Sequence, residues 1–166
     1  MRLTIHRSWR RIAYAVLALP VSLCPIDIRE RAARWARETS FESRTPGRGY
    51  VAAHTVLGAA LGLLACFLIF LAVLALVRGL AYPLVGDSGL ENSWGGPTLM
   101  GAWAVHTALA VLLQPVAAVL LADVGVLQLR LADRLLARGG AWWPVPAAVA
   151  LAAAGVVLFV AWWHQI

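Results

Sequence analysis

The sequence is poor in charged residues, has few cysteines and contains no lysine. Only 13% of its 166 residues are charged and 61% are hydrophobic, whereas soluble domains are about a quarter charged and about half apolar. The two cysteines, Cys24 and Cys66, lie in apolar surroundings without the spacing of metal ligands, so we expect packed thiols. The composition excludes a secreted disulfide scaffold, a disordered tail and a free nucleic-acid-binding domain, and it predicts an integral membrane protein.

Three apolar segments are long enough to cross a bilayer, at residues 51–77, 99–122 and 143–163, and none of them contains a charged residue. A helix over 51–77 would be about 40 Å long at about 1.5 Å per residue, enough to cross a hydrocarbon core of about 30 Å with some tilt. Pro144 and Pro146 are expected to make the first turn of the last segment irregular.

A fourth apolar segment, residues 12–26, is short, and Pro20 and Pro25 are expected to interrupt it. Four arginines precede this segment, six lie between it and residue 51, three follow residue 122, and the loop at 86–98 has none. If the segment crossed the membrane, the best orientation would leave four arginines outside. If it lies in the interface or re-enters, 13 of the 14 arginines are cytoplasmic, as the positive-inside rule favours. Arg78 is the exception, and it can reach the outer headgroups.

We therefore predict an all-α polytopic bundle with three spanning helices and an N-terminal interfacial or re-entrant helix. Residues 1–49 would form the N-terminal interfacial segment with an Arg-rich cytoplasmic helix and linker. Residues 50–166 would form the transmembrane bundle, with a cytoplasmic exit helix at 123–138. The protein would lie in the cytoplasmic membrane with its N-terminus inside and its C-terminus outside. A cleaved signal peptide is the competing interpretation of the first 26 residues.

Two stretches are expected to form amphipathic helices at the inner face. Residues 27–38 place Ile28, Ala32 and Trp35 on one side, and residues 126–138 place a leucine stripe beside a row of arginines. Arginines at a membrane exit suit anionic headgroups. Simple helix continuation, with arginines that reach the headgroups, is the favoured interpretation, and a partner-binding helix is the alternative. The candidate residues for lipid or partner contact are Arg31, Arg34, Arg130, Arg134 and Arg138.

Two histidines, His54 and His106, lie inside predicted spans, where ionisable residues are functional candidates because their burial is costly. Their positions on oppositely directed helices place them about 15 Å apart in depth, too far to ligate one haem iron. His106 is a candidate sensor of external pH. The alternative for both histidines is a packing role, and we expect no cofactor.

Small and polar residues recur every four positions on the predicted spans. Ala102, His106, Ala110 and Gln114 form one such face, and His54, Gly58 and Gly62 form a second face that would match it. Small residues let helices approach closely, and His or Gln can hydrogen-bond across the contact. These faces predict a three-helix bundle.

The loop between the second and third apolar segments is acidic, and it could bind a cation or a small polar ligand. Trp94 in this loop more simply marks the outer interface, as aromatic belts do. The sequence contains no phosphate-binding loop, no nucleophile with a neighbouring base and no HExxH motif. We therefore expect neither enzymatic activity nor a metal site.

The run SWGGPTL at 93–99, followed by GAWAVH at 101–106, resembles the sensor domain at the N-terminus of many actinobacterial sensor histidine kinases. WRRIAY at 9–14, AYPL at 81–84 and the Arg- and Leu-rich stretch at 127–136 extend the resemblance over residues 9–138. It implies a multi-helix membrane module that detects an envelope signal, and it defines no ligand-binding residues. The candidate positions in its central run are Trp94, Gly95, Gly96 and Pro97.

The chain departs from that family in two ways. The family usually has four spans before its kinase part, and here the first hairpin is reduced to one interrupted segment. After Arg138 the chain enters another apolar segment, with no phosphoacceptor histidine or ATP-binding domain, so we expect no kinase activity. The sequence predicts a non-enzymatic sensor-like or regulatory module that passes an envelope or lipid signal to a partner. The alternative is an accessory subunit of a membrane complex such as a transporter. The expected partners are the lipid bilayer and a membrane protein or a second copy of the chain, and not nucleic acid.

Overall fold

The computed structural model describes residues 2–37, 45–85, 90, 94–137 and 140–165. All regular elements in these ranges are α-helices, which confirms the predicted fold class. In chain order they are α1 (Arg2–Leu23), α2 (Ile26–Arg37), α3 (Arg48–Leu80), α4 (Tyr82–Val85), α5 (Leu99–Leu136) and α6 (Pro144–Trp163).

Three of these helices, α3, α5 and α6, are long and apolar enough to cross a membrane, with 33, 38 and 20 residues. They match the three predicted spans, except that α6 begins one residue after position 143, and the protein is accordingly an integral membrane protein. Helix α5 continues without a break to Leu136, within the predicted exit helix at 123–138, and α6 begins at Pro144, where the missing N–H of proline costs no helical hydrogen bond. Large apolar side chains that these helices leave exposed are suited to lipid contact.

The N-terminal helix α1 is continuous from Arg2 to Leu23, so the expected interruption at Pro20 is wrong. A proline removes one helical N–H donor, but packing on the other face holds this helix together, because Tyr14, Ala18 and Ser22 are all buried. Pro25 does separate two helices, since the chain turns at Cys24 and Pro25 before α2 begins.

Contacts divide the chain into two compact units that cut across the long helices. The Arg-rich unit comprises Met1–Phe67 and Leu120–Ile166, and the hairpin unit comprises Leu68–Val119. The first contains α1, α2, α6, the beginning of α3 and the end of α5. The second contains the end of α3, α4 and the beginning of α5. The predicted domain boundary between residues 49 and 50 rests on the composition of the sequence, and it remains a prediction.

Within the Arg-rich unit, α1 packs against α3 and α5 at two glycines. A Cβ atom added to Gly62 would lie 2.4 Å from the backbone nitrogen of Leu19, and one added to Gly125 would lie 2.2 Å from the carbonyl oxygen of Arg11. Real Cβ atoms do not approach backbone atoms so closely, so glycine is required at both crossings. The helix backbones themselves are in contact there.

Helix α2 packs through alanines and not through its larger apolar residues. Ala33 and Ala36 join a buried cluster with Tyr14 of α1 and with residues of α5, including Leu136. Of the predicted apolar stripe, Ala32 packs against this cluster, whereas Ile28 and Trp35 are 40% and 45% exposed. The exposed surface of these two side chains is suited to lipid contact, while the small residues make the contact with the cluster.

Candidate functional site

A buried arginine on α2 connects three parts of the Arg-rich unit. Arg29 is only 6% exposed, and its Nε donates a hydrogen bond of 2.7 Å to the carbonyl oxygen of Cys24. One terminal nitrogen donates to Thr55 Oγ1 of α3 at 2.9 Å and lies 3.5 Å from His54 Nδ1. Thr55 in turn donates to the carbonyl oxygen of Val51. A single side chain thus joins α2 to the α1–α2 turn and to the start of α3.

Burial sets the electrostatics of this contact. Removal from water lowers the pKa of the Arg29 guanidinium from its ordinary value, and the neighbouring Cys24 and Tyr14 partly offset this effect. An arginine nevertheless keeps its charge in a protein, so the hydrogen bonds of Arg29 are charge-assisted and stronger than neutral ones. Replacing the guanidinium would leave acceptors on two other segments without their donor.

An ion pair joins α2 to α5. Arg37 lies 2.5 Å from Asp133 and also donates to the carbonyl oxygen of Leu129. Both charged side chains are mostly buried, at 21% and 27% exposure. Tyr14 packs in the same region, where burial raises the pKa of its phenol to about 12, against a smaller lowering by Arg37. Two arginines of α2, Arg29 and Arg37, therefore attach this helix to α3 and α5, respectively.

A small cavity lies among α1, α3 and α5. It has a volume of about 10 Å³, and Ser22, His54, Gly58 and Gln128 contribute to its lining. This is about the smallest cavity that can hold one water molecule. Gln128 is 3% exposed, and no described residue hydrogen-bonds to either polar atom of its amide. Gln128 therefore places an amide without a described partner in the same cavity as the buried side chains of Ser22 and His54.

The predicted lipid-contacting arginines are solvent-accessible where they are described. Arg31 pairs with Asp27 at 2.8 Å and Arg34 lies 3.6 Å from Glu30, each within one turn of α2. Arg130 stacks over the ring of Trp143 at 4.9 Å, and Arg134 is exposed on the same helix. Arg138 lies outside the described residues.

The hairpin unit contains His106 and Gln114, and both bond to backbone carbonyls. His106 Nδ1 lies 2.8 Å from the carbonyl oxygen of Ala102, and its ring stacks on Tyr82 at 4.3 Å. Gln114 donates to the carbonyl oxygens of Ala72 and Ala110 at 3.2 and 2.9 Å. Both side chains thus contribute to the packing of α5 against its neighbours in the hairpin unit.

The two predicted small-residue faces contact different partners, so the expected match between them is wrong. Gly58 and Gly62 meet Ser22 and Leu19 of α1. The Ala102–Gln114 face of α5 instead meets the end of α3, where a Cβ added to Gly79 would lie 2.7 Å from Ala110 Cβ. A small-residue spacing indicates close approach, but many helices can be the partner.

The run from Trp94 to Pro97 forms the turn that leads into α5. Gly95 and Gly96 have φ of +112° and +90°, a left-handed backbone that glycine adopts at low cost. A Cβ at Gly95 would also lie 2.3 Å from the carbonyl oxygen of Gly101. Trp94 is exposed, as expected of a residue at an interface. The acidic positions 87 and 91 of the predicted loop lie outside the described residues.

Sequence reasoning missed the residues that join α2 to the long helices, namely Arg29, Arg37, Thr55 and Asp133, and it also missed the buried Gln128 of α5. One available signal was the spacing of Arg29, Ala33 and Ala36, which places a small-residue face on α2. A second was the lone uncharged polar residue, Gln128, within a leucine-rich stretch. Asp133 left no such signal, because arginines lie near it in sequence whereas its partner is on another helix.

No three metal-ligating side chains come together among the described residues. In comparisons with known proteins, the chain matches no family model, no curated protein and no solved structure.

Proposed function

We propose that this integral membrane protein is a non-enzymatic, sensor-like regulatory module of the cytoplasmic membrane. It converts a change in the envelope or in the lipid into helix repacking and passes that change to a partner protein. The resemblance of residues 93–106 to the sensor domains of actinobacterial histidine kinases supports a signalling role. The partner would contact the exposed, Arg-rich surface of α2.

The observation that carries this proposal is the attachment of α2 to two spanning helices through buried charge. Arg29 bonds to Thr55 of α3, and Arg37 pairs with Asp133 of α5. Buried charged hydrogen bonds require specific geometry and are costly to leave unpaired. A shift of α3 or α5 would therefore move α2, where a partner can detect it.

The proposed orientation places the N-terminus and α2 in the cytoplasm and the C-terminus outside. Its support is the arginine distribution together with the three spans. A tag at each end of the full chain, labelled with an impermeant reagent on intact cells, tests it. We expect labelling of the C-terminal tag only, and labelling of the N-terminal tag contradicts the orientation.

Helix repacking can be measured with spin labels on two exposed positions, Arg34 on α2 and Val56 on α3. In a background with both cysteines replaced by serine, the full chain is placed in vesicles of phosphatidylcholine with or without phosphatidylglycerol, at external pH 5.5 and 7.5. We expect the distance distribution between labels to shift with at least one of these conditions. In Arg29→Met, the distribution should broaden and lose that dependence. A distribution that is the same in all conditions contradicts the sensing role.

The pH arm also tests His106. His106→Ala should abolish a pH-dependent shift if this histidine senses external pH, and Gln114→Ala on the same face is the control. If neither variant changes the response, the sensing group is another residue.

An accessory role in a membrane complex is the second candidate, and an exposed groove favours it. An apolar groove of about 560 Å³ runs between α3 and α6, and its lining includes Leu64, Phe67, Gly155 and Phe159. The buried residues of α6 are only Pro144 and Ala148, so most of this helix is available to lipid or to another span. Purification in mild detergent with mass spectrometry separates the candidates. A kinase or transcription regulator supports signalling, a transporter supports the accessory role, and light scattering shows whether the chain self-associates.

A further inference from the structure

We infer that the Arg-rich unit contains a binding site for the phosphate of an anionic phospholipid, formed by Arg11, Arg37 and Arg130. This site differs from the exposed arginines of α2, because its three guanidinium groups come from three helices that line one pocket. The inference is independent of whether the chain signals, since it concerns only what the pocket binds.

The pocket has a volume of about 360 Å³ and is lined by side chains of α1, α2 and α5. Its charged residues are Arg11, Arg37, Arg130 and Asp133. The carboxylate of Asp133 is 2.5 Å from Arg37 and neutralises it. The pocket therefore retains two positive charges, on Arg11 and Arg130. Guanidinium groups present paired donors that match the oxygens of a phosphate.

Two of the three guanidinium groups are held in place before a ligand arrives. Arg37 is fixed by Asp133 and by the carbonyl oxygen of Leu129, and Arg130 is stacked on Trp143. The backbone of Arg11 is in contact with Gly125, which fixes the point from which its side chain leaves α1. Preorganised donors lose little conformational entropy on binding.

The position of the pocket along α5 favours a lipid over a soluble phosphate. The uncharged run at 99–122 is long enough to fill the hydrocarbon core, and the pocket residues Val126, Leu129 and Arg130 follow it directly. Phospholipid phosphates lie at this level, just beyond the apolar core. Val126 and Leu129 provide an apolar wall beside the charges, as a glycerol backbone and the start of an acyl chain require.

The test uses the full chain in neutral detergent micelles, titrated with dioctanoyl phosphatidylglycerol and followed by native mass spectrometry. Micelles carry no surface potential, so binding reports the pocket and not a charged surface. The variant Arg11→Gln/Arg130→Gln removes both uncompensated charges. The variant Arg31→Gln/Arg34→Gln removes two charges from exposed sites outside the pocket and is the matched control.

We expect Kd for phosphatidylglycerol to rise about 30-fold in the pocket variant, because the loss of each arginine should raise it about fivefold. In the control variant, Kd should rise less than threefold. Phosphatidylcholine should bind the parent protein at least tenfold more weakly, and millimolar inorganic phosphate should not compete. An equal loss in both variants overturns the pocket. Full competition by inorganic phosphate overturns the lipid as its ligand. Helix content and elution volume establish that each variant is folded, and a misfolded double variant is replaced by Arg11→Gln alone, with Arg31→Gln as control.

Discussion

The two units of the protein use polar side chains in different ways. In the Arg-rich unit, Arg29 and Arg37 carry full charges into helix contacts and bond to side chains and carbonyls of other segments. In the hairpin unit, the hydrogen bonds between its described long helices come from uncharged donors. Thr107, Gln114 and Trp103 each donate to a backbone carbonyl of α3.

The difference follows from the cost of taking charge out of water. A neutral hydroxyl or amide can bond to a helix carbonyl inside a bilayer at little cost, whereas a guanidinium there is expensive. The hairpin unit therefore has contacts suited to the hydrocarbon core. The Arg-rich unit has contacts suited to a membrane exit, where the charges can be partly hydrated. The following substitutions test this comparison.

The largest effect is expected at the glycine crossings. Gly62→Ala places a Cβ against the backbone of Leu19, which cannot move without shifting α1, so we expect a loss of about 3 kcal/mol in the free energy of unfolding. In the hairpin unit, the Cβ of Gly79→Ala would lie 2.7 Å from Ala110 Cβ and 3.0 Å from the carbonyl oxygen of His106, so the overlap with backbone is smaller than at Gly62 and the substitution should cost less. Unfolding by SDS in mixed micelles, followed by circular dichroism, measures both.

Gly49→Ala is the matched control for these glycine substitutions. It makes the same chemical change on the same helix as Gly62→Ala, but nothing lies within 4 Å of the added carbon. It should leave stability unchanged or raise it by up to about 1 kcal/mol through helix propensity. Equal losses in Gly49→Ala and Gly62→Ala would show that α1 does not pack where the structure places it.

The next effect is expected at the ion pair between α2 and α5. Asp133→Asn leaves the mostly buried Arg37 without its counter-charge, and we expect a loss of about 1 to 2 kcal/mol, reduced by partial solvent screening. A double-mutant cycle with Arg37→Met isolates the coupling between them. Asp27→Asn breaks the exposed pair with Arg31 and should cost less than about 0.5 kcal/mol. A coupling near zero would remove one of the two attachments of α2.

The fold could be predicted from sequence because the dominant signal for a spanning helix is a long apolar segment without charged residues. Residues 51–77 and 143–163 differ from α3 and α6 by at most three residues at each end. The ends of α3 extend into Arg48 and Arg78, since a charge at a membrane surface does not stop a helix. The continuity of α1 through Pro20 was not predictable locally, because packing of Tyr14, Ala18 and Ser22 decides it.

The site was less predictable, because hydrophobicity does not distinguish protein contact from lipid contact. Ile28 and Trp35 are large apolar residues of α2, yet they are 40% and 45% exposed and do not belong to its buried cluster. Burial follows the small residues, which allow close approach, and Arg29 is buried with them. The sequence also did not determine which helices pack together. The spacing of Gly58 and Gly62 indicates that another helix crosses α3 there, but it does not indicate that this helix is α1. Long-range pairs such as Arg37 with Asp133 leave no local pattern.

Gln128 tests whether polar residues in the Arg-rich unit always stabilise it. Its buried amide has no partner among the described residues, and an unsatisfied amide is costly. Gln128→Leu should therefore raise the free energy of unfolding by about 1 kcal/mol. A loss of stability would indicate that a water in the cavity beside Ser22 and His54 satisfies the amide.

Replacing a glutamine by leucine in the hairpin unit should change the free energy of unfolding in the opposite direction, and this is the smallest effect we expect. Gln114 is bonded to the carbonyl oxygens of Ala72 and Ala110, so Gln114→Leu should lower the free energy of unfolding by about 0.6 kcal/mol, the average for such bonds in membranes. Gln165→Leu, at an exposed position after α6, provides the baseline for replacing a glutamine by leucine. If Gln114→Leu and Gln128→Leu shift stability in the same direction relative to that baseline, the bonding state of the amide does not decide its contribution. The distinction between the two units would then rest on charge alone.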